Sequence, residues 1–384
     1  MDERAEHDFI IVGAGSAGAV LANRLSASHR VLLLEAGGDE RHLLLRMPAA
    51  LSYPLNGTRW NWRYETEPEP GLDGRRIACH RGRVLGGSST INGMNWVRGH
   101  PADYDRWAAE GASGWDFAAC LPYFKRAERH QDGASAWRGG AGPIAVLVGQ
   151  TPNPLYAAWL EAGRQAGYGV SDDMNGARQE GLARMEMSIA GGERCSTARA
   201  YLRPAMGRPN LTVATRALTL RVLLEGRRAV GVEVARRGRV ERHRAGRAVI
   251  LAAGAINSPQ LLLLSGIGPA DQLRALGIAP AHALPGVGQN LQDHLELYMQ
   301  WACTQPVSLH RYSGLAARAA VGLRWLMTRQ GPGATCHFEA GGFIRSRAGV
   351  AEPALQFHCL PAAVNYGGSA AAGGHGFQAH VGPM

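Results

Sequence analysis

A glycine-rich turn near the start of the chain has the spacing that dinucleotide binding requires. Gly13, Gly15 and Gly18 form a G-x-G-x-x-G pattern whose intervening residues include Ser16 and Ala17. The first glycine permits a tight turn, the second lets the backbone approach a pyrophosphate, and the third lets a helix pack closely on a strand. Free N–H groups at the start of that helix can then bind phosphate oxygens. We therefore predict that these five residues bind a dinucleotide cofactor.

Glu35 supplies the second part of this fingerprint. It lies about 20 residues after the glycines, at the end of a predicted strand, where a carboxylate can accept hydrogen bonds from ribose hydroxyls. The alternative is a glycine-rich turn in an unrelated α/β fold. The fingerprint alone does not distinguish FAD from NAD, but the run of residues 35–38 resembles that of flavoproteins, which favours FAD.

Three predicted elements position this turn. Residues 8–12 form a short apolar run typical of a buried parallel strand, residues 19–25 have helical spacing, and residues 30–34 predict a second strand. Together they make a β-α-β unit, which indicates an α/β fold. Alternating residues later in the chain predict meandering strands and then a separate buried strand, at 211–213, 217–225, 229–235, 239–244 and 248–252.

The composition excludes several classes of function. Apolar residues make up 46% of the chain and charged residues 19%, which is typical of a folded protein. The net charge is +10 and comes almost wholly from arginine, since Lys125 is the only lysine. No basic helix with interleaved aromatics is visible, so we predict no nucleic-acid partner. The arginines at 236–247 instead predict an exposed hairpin, and loose contact with anionic lipid stays open.

Cysteine spacing and hydropathy set further expectations. The six cysteines are far apart, without a CxxC pair, so we predict free thiols and no metal site. Residues 1–7 are polar, and no apolar run approaches the roughly 20 residues needed to cross a bilayer. We therefore expect a cytoplasmic protein, or one bound peripherally on the inner face of the cell membrane.

Two longer stretches are dense in small residues. Residues 82–93 contain glycines and serines interleaved with Val84, Leu85 and Ile91, a pattern that lets the backbone lie against a flat ring. Residues 254–268 follow a predicted buried strand and begin a helix at Pro259. These two stretches resemble, position for position, the two signatures of the glucose–methanol–choline (GMC) oxidoreductases.

This resemblance implies the fold and the cofactor. It predicts a Rossmann-like FAD-binding domain over 8–297, with excursions at 43–80 and 100–190 that partly cover the cofactor and substrate site. A second α+β substrate domain over 298–384 would be incomplete at its C-terminus. FAD is expected to be noncovalent, because Ile91 stands where some relatives carry a flavin-linked histidine.

The resemblance also implies the residues that contact FAD. The flavin and pyrophosphate would be lined by a set from the first signature, and the adenine would be reached by the backbone of Val222. The first-signature set is Val84, Gly87, Ser88, Asn92, Gly93, Met94 and Asn95.

Further stretches resemble the choline-oxidising members of the family, among them 53–57, 64–70, 286–296, 338–346 and 375–382. They imply oxidation of choline to betaine aldehyde, and onward to glycine betaine. Hydride would pass to the flavin, and electrons would then pass to a membrane acceptor such as a quinone. Another alcohol dehydrogenase of the family, a truncated noncatalytic flavin-binding protein, and a less favoured NAD-linked dehydrogenase are the alternatives.

The family's catalytic histidine lies in a later segment, partnered by a His or Asn, and this sequence ends at Met384 before it. We therefore predict that the chain is a fragment without the catalytic pair, and that His294 is structural. The trimethylammonium group of choline needs aromatic faces or a carboxylate in a dry pocket. Glu339, between Phe338 and Phe343, is predicted to bind it; the alternative is a surface acid on an edge strand.

Overall fold

The computed structural model describes residues 7–365 and 374–384. Its strands are, in chain order, β1 (His7–Val12), β2 (Val31–Glu35), β3 (Tyr64–Glu65), β4 (Ala78–Cys79), β5 (Glu128–His130), β6 (Ile144–Val148), β7 (Gly181–Arg184), β8 (Glu186–Met187), β9 (Ile189–Ala190), β10 (Glu193–Arg194), β11 (Leu211–Thr215), β12 (Ala217–Glu225), β13 (Arg228–Arg236), β14 (Arg239–Leu251), β15 (Ile267–Gly268), β16 (His282–Ala283), β17 (Leu297–Ala302), β18 (Ala340–Ile344), β19 (Leu355–Leu360) and β20 (Gly376–Pro383).

The α-helices are α1 (Ser16–Leu25), α2 (Leu43–Arg46), α3 (Ser52–Asn56), α4 (Pro101–Ala109), α5 (Phe117–Ala127), α6 (Pro154–Gln165), α7 (Arg203–Ala205), α8 (Gly254–Leu264), α9 (Ala270–Ala275) and α10 (Leu315–Thr328). Within the residues the structure describes, none of these helices is long and apolar enough to cross a membrane.

The chain divides into two compact units. The first consists of the chain up to Arg46 together with Pro54–Asn92 and Ser196–Gln292, and the second of Met47–Tyr53, Gly93–Cys195 and the chain from Asp293 onward. Residues 100–190 thus lie in the second unit. The predicted domains at 8–297 and 298–384 were defined by the ligand that each would bind, whereas the two units are defined by packing. The limits of those domains stay a prediction.

A six-stranded sheet forms the centre of the first unit, in the order β11-β2-β1-β14-β13-β12. The strands β11, β2, β1 and β14 run parallel, with β1 in the interior of the sheet. Ile10, Ile11 and Leu33 are fully buried, as expected for a parallel sheet covered on both faces. This parallel core confirms the predicted α/β class, and the β-α-β unit at its start is confirmed with it.

The strand β14 corrects one prediction from the sequence. The segments 239–244 and 248–252 were expected to be separate strands, whereas residues 239–251 form one continuous strand. Its first part pairs antiparallel with β13, and its last part pairs parallel with β1. The small residues Ala245 and Gly246 interrupt the apolar pattern where the strand changes partner, not where it ends.

The second unit contains a five-stranded sheet in the order β17-β20-β19-β18-β7, whose pairings are all antiparallel. One side packs on helix α6, where Tyr156 is fully buried against Ala340 and Cys359. Phe343 packs with Met185 in a second cluster. A sheet of this kind with helices is the α+β arrangement predicted for a substrate domain.

Candidate functional site

The first unit contains a cavity of about 880 Å³ at the carboxyl ends of its parallel strands. Val12 at the end of β1 and Leu34 near the end of β2 both line it. In open α/β sheets this edge is where ligands bind. The cavity is lined by Val12, Gly13, Gly15, Ser16, Ala17, Leu34, Glu35, Ala36, Trp62, Tyr64, Arg81, Gly82, Gly87, Ser88, Ala217, Leu218, Thr219, Leu220 and residues 251–258, 260, 261 and 264.

The glycine turn brings the start of α1 to this cavity. The N–H of Gly13 donates to the carbonyl of Leu34 at 2.8 Å, which ties the turn to β2. Helix α1 begins at Ser16, and no side chain caps it at Gly15. Its first N–H groups therefore have no side-chain acceptor, and Ser16 and Ala17 line the cavity. An uncapped helix start facing a cavity is suited to a phosphate group.

Gly18 has a packing role in the same motif. A Cβ atom there would lie 1.9 Å from the carbonyl oxygen of Gly13 and 3.4 Å from a methyl carbon of Ile11. Only a residue without a side chain lets α1 lie this close to the turn and to β1. Of the five predicted glycine-turn residues, Gly18 therefore supports the cavity, and the other four line it.

The first GMC-like stretch meets the glycine turn through backbone atoms. A Cβ atom on Gly87, which has a φ of 54°, would lie 2.8 Å from the Cα of Gly15. Gly87 and Ser88 both line the cavity, and the Ser88 hydroxyl accepts a hydrogen bond from the N–H of Gly82 at 3.1 Å. The two glycine-rich motifs, far apart in sequence, thus form one backbone surface for a ligand.

Glu35 lies at the end of β2 and is buried on the wall of the cavity. Its carboxylate accepts hydrogen bonds from the N–H of Gly37 at 2.7 Å and of Ala14 at 3.0 Å. Burial raises the pKa of this carboxyl to about 7, although both N–H groups and the charge of Arg83 lower it. Each carboxylate oxygen has two lone pairs and uses one of them for an N–H group. The other remains available to a ribose hydroxyl.

The strand β12 forms another wall, but Val222 does not. The N–H of Val222 donates to the hydroxyl of Ser265 at 2.8 Å, and residues 217–220 line the cavity instead. This N–H is therefore already bonded within the protein, and the predicted contact of the Val222 backbone with the adenine stays a prediction. In the described part of the chain, the hydroxyl of Thr219 is buried without a hydrogen-bond partner. A water molecule or a ligand can complete the bonding of a buried polar atom of this kind.

An aromatic pair that was not predicted also lines the cavity. The rings of Trp62 and Tyr64 stack with centroids 5.7 Å apart and planes at 9°. The guanidinium of Arg83 lies 4.7 Å from the Trp62 ring, and the Tyr64 hydroxyl donates to Asn257 at 2.9 Å. The abundance of Trp and Tyr in residues 43–76 was the available signal.

Two residues of the first signature, one predicted to contact FAD and one at the position of a flavin-linked histidine in some relatives, face the core. Val84 and Ile91 are both buried in a cluster with Leu45 and Trp60. Neither side chain lines the cavity. Ile91 is therefore a packing residue that offers no atom for attachment to a ligand. The noncovalent binding of FAD stays a prediction.

The other predicted flavin contacts divide between the two units. Asn92 ends a segment of the first unit and is exposed, whereas Gly93, Met94 and Asn95 belong to the second. Met94 is buried in the cluster that also contains Met187. The Asn95 amide donates to the carbonyl of Phe338 at 2.9 Å. Their contact with a flavin stays a prediction.

The second unit has a smaller cavity of about 290 Å³. It is lined by Asn95, Val97, His294, Glu296, Gln356, His358 and Gly382. The Glu296 carboxylate lies 3.5 Å from His380 and 3.9 Å from His358. A hydrogen bond from His380 lowers the pKa of Glu296, against the effect of burial. Burial lowers the pKa of His358 to about 4, so that its ring is neutral at pH 7.

Aromatic rings lie behind this carboxylate. Tyr298 stacks on His380 with ring centroids 4.0 Å apart, and the edge of Phe338 meets His358 and His380 at 6.2 and 5.5 Å. His294 is exposed, and its Nδ1 lies 3.4 Å from the carbonyl of Pro383. The cavity lining thus supplies one carboxylate and two histidine rings, and the rings of Tyr298 and Phe338 lie behind this lining.

Glu339 lies in the interior of the second unit, where protein groups bind its carboxylate. It is 0% exposed, so it is not a surface acid. Its carboxylate accepts hydrogen bonds from the N–H and hydroxyl of Thr151 and from the hydroxyl of Thr335, and pairs with Arg184 at 2.9 Å. Because Arg184 already pairs with it, this carboxylate has partners within the protein, and its binding of the choline cation stays a prediction. Glu339 instead joins β18 to the segment after β6.

Comparisons with known proteins agree with this geometry. The family model described as GMC oxidoreductase matches residues 7–296. The chain is 55% identical over 381 residues to a protein named oxygen-dependent choline dehydrogenase from Photobacterium profundum, covering 98% of this chain and 67% of that protein. It is 53% identical over 390 residues to a protein named choline dehydrogenase, mitochondrial, from Mus musculus, covering 99% and 65%.

A solved structure gives the same result. The crystal structure of pyridoxine 4-oxidase from Mesorbium loti superposes with a TM-score of 0.86 at 32% identity, over 98% of this chain and 71% of that one. The family model covers well over half of the chain, and the first relative is far above 30% identical over two thirds of its own length. The chain therefore belongs to the GMC oxidoreductase family.

Proposed function

We propose that this protein is an FAD-dependent oxidoreductase that oxidises the alcohol of choline to betaine aldehyde, and onward to glycine betaine. The observation that carries the proposal is the identity of 55% and 53% to two relatives whose names specify choline as the substrate. Two features of the geometry support it: a cavity suited to a dinucleotide in the first unit, and a carboxylate among aromatic rings in the second.

The cofactor is FAD, and the residues around the first cavity fit it. The uncapped start of α1 can bind the pyrophosphate, Glu35 can accept bonds from a ribose, and the hydroxyl of Thr219 can bond to the adenine. When bound, FAD supplies a flavin ring that accepts a hydride from the alcohol carbon. The protein's task is to hold the substrate and to exclude water.

Glu296, rather than Glu339, is the partner of the choline cation in this proposal. A quaternary ammonium group cannot donate a conventional hydrogen bond, so it is bound by a negative charge and by aromatic faces. Glu296 faces a cavity, and its lowered pKa keeps it ionised. His358 lines the same cavity as a neutral ring, so it adds no positive charge that would repel the ligand.

The variant Glu296→Gln tests this assignment. In the FAD-loaded protein, the dissociation constant for choline is measured from the change in flavin absorbance. We expect it to rise roughly 30-fold, which corresponds to about 2 kcal/mol for a charge contact that the bound ligand covers. The neutral isostere 3,3-dimethylbutanol should lose little affinity, because it has no charge to pair.

The matched control is Glu67→Gln, whose carboxylate is 87% exposed in the first unit. It should leave both ligands unaffected. An equal loss of affinity for choline and for 3,3-dimethylbutanol in Glu296→Gln would show that Glu296 does not recognise the cation.

The electron acceptor is proposed to be a membrane component such as a quinone, with the protein cytoplasmic or peripheral on the inner face of the membrane. The relative from Photobacterium profundum is named as oxygen-dependent, which makes dioxygen the rival acceptor. In the full-length enzyme, choline-dependent reduction of a soluble quinone analogue under argon should be faster than oxygen uptake in air. Faster oxygen uptake would contradict the quinone.

A further inference from the structure

The helix α10 of the second unit turns its apolar side outward. Trp325 is 2% exposed and anchors the helix, and its indole N–H donates to the carbonyl of Gly192 at 2.7 Å. By contrast, Leu315 is 85% exposed, Leu323 61% and Met327 75%. In a surface helix of a soluble protein the apolar stripe normally faces the core. The sequence of α10 instead leaves most of its apolar side chains uncovered.

The outward residues form one continuous face. Since an α-helix turns by about 100° per residue, a sector of roughly 140° on the side of α10 away from Trp325 contains only apolar residues. These residues are Leu315, Ala316, Ala319, Ala320, Leu323, Leu326 and Met327. We call this set the α10 face. Leu326 is itself 45% exposed, so the face is accessible along its whole length.

Two arginines flank the α10 face. At the same 100° per residue, Arg324 lies about 40° beyond one edge of it and Arg318 about 60° beyond the other, near the Trp325 side, and both are exposed. No Asp or Glu occurs anywhere in the sequence between Glu296 and Glu339, so the helix and the segments around it carry only positive charge. An apolar face bordered by arginines, without acids, is the pattern of a helix that lies in a membrane interface.

We propose that α10 binds the surface of a membrane that contains anionic lipid. The helix lies parallel to the membrane plane, with the α10 face in the boundary between headgroups and acyl chains. Arg318 and Arg324 then reach the lipid phosphates from both sides. With 14 residues, α10 lies on the membrane and does not span it.

Charge argues against a second copy of the chain as the occupant. In a symmetric contact each α10 face would meet the same face of its partner. Arg318 and Arg324 would then approach arginines, with no acid on either helix to neutralise them. Anionic headgroups supply that neutralisation. The inference rests on this helix alone, so it stands or falls separately from the choline assignment.

Sedimentation with vesicles tests the proposal. The purified, FAD-loaded chain is mixed with vesicles of phosphatidylcholine, with or without phosphatidylglycerol, and the bound fraction is measured against lipid concentration. We expect binding to the anionic vesicles. The double variant Leu323→Glu/Met327→Glu should weaken that binding at least about tenfold, because two apolar side chains are lost from the interface.

The matched control is Leu276→Glu, since Leu276 is 67% exposed next to α9 in the first unit. It should bind as the parent does. Arg318→Gln and Arg324→Gln should each weaken binding to anionic vesicles by about fivefold and leave binding to neutral vesicles unchanged. Raising the salt concentration should reduce the difference between parent and arginine variants.

Several outcomes would overturn the proposal. Parent protein that does not bind vesicles, or a double variant that binds as tightly as the parent, would exclude α10 as the contact. A parent oligomer that the double variant dissociates in the absence of lipid would show that a second copy covers the α10 face. A double variant that melts at a clearly lower temperature or loses FAD would show that protein, not lipid, covers it.

Discussion

The linings of the two cavities differ in how much backbone and how many side chains they present to a ligand. In the first unit, part of the ligand surface is backbone, because the glycine turn, the segment at Gly87 and the start of α1 meet there without side chains between them. In the second unit, the surface is made of side chains such as Glu296, His358 and Gln356. A backbone surface binds any ligand with a pyrophosphate, whereas a set of side chains selects one substrate. In the proposed function, the glycine motifs therefore serve a widely shared cofactor, and the second cavity selects the substrate.

Substitutions around the two cavities should affect different properties of the protein. Gly18→Ala should have the largest effect, because its Cβ atom would lie 1.9 Å from a backbone oxygen. We expect FAD binding to be lost and the free energy of unfolding to fall by about 4 kcal/mol or more. Urea denaturation and FAD fluorescence measure the two effects.

The control for that variant is Gly38→Ala in the same unit. An added Cβ atom at Gly38 would have no neighbour within 4 Å. Its unfolding curve and FAD affinity should match those of the parent. If Gly18→Ala behaved in the same way, α1 would not pack on the glycine turn as the structure has it.

Glu339→Gln should affect folding rather than substrate recognition. It would leave Arg184 without its ion-pair partner beside a buried position, which we expect to lower the free energy of unfolding by about 2–3 kcal/mol. This is less than for a fully buried pair, since the Arg184 side chain is 25% exposed. Urea denaturation measures the loss. Folded Glu339→Gln should bind choline as the parent does, and a selective loss of choline affinity would identify Glu339 as the cation site.

The smallest expected effect is a change in the affinity for FAD with pH. The pKa of Glu35 is raised to about 7, so its carboxyl takes up a proton as the pH falls through 7. A protonated carboxyl is a weaker acceptor for ribose hydroxyls. The dissociation constant for FAD should therefore rise roughly tenfold between pH 8 and pH 6. In Glu35→Gln it should be nearly constant over that range, and a profile like the parent's would mean that another group titrates.

The backbone cavity was largely predictable from the sequence. Glycine has a distinct meaning at each position of a tight turn, so Gly13, Gly15 and Gly18 could be assigned from spacing alone. Glu35 followed from the position of a strand end. The alternating pattern also located β12 and β13 nearly to their observed ends. What it could not show is which part of β12 passes the cavity, which Thr219 lines and Val222 does not.

The side-chain cavity was not predictable in the same way. Glu296 and His358 come from segments far apart in sequence, and only the pairing of β17, β20 and β19 brings them together. Glu339 was favoured because aromatic residues adjoin it in the chain. Alternation does not report whether a buried acid already has partners, and Thr151, Thr335 and Arg184 all lie outside β18, which Glu339 directly precedes.

The strand β14 has a consequence for biosynthesis. It pairs with β1, so the interior of the first sheet joins the start of the chain to a strand that ends at Leu251. At ribosomal rates of about 5–20 residues per second, β1 waits roughly 10 s or more for its partner after it has been synthesised. The cavity wall at residues 252–258 is completed only after that. Capture of FAD in this cavity therefore waits for the synthesis of these residues, and until then β1 has only β2 as a partner in the sheet.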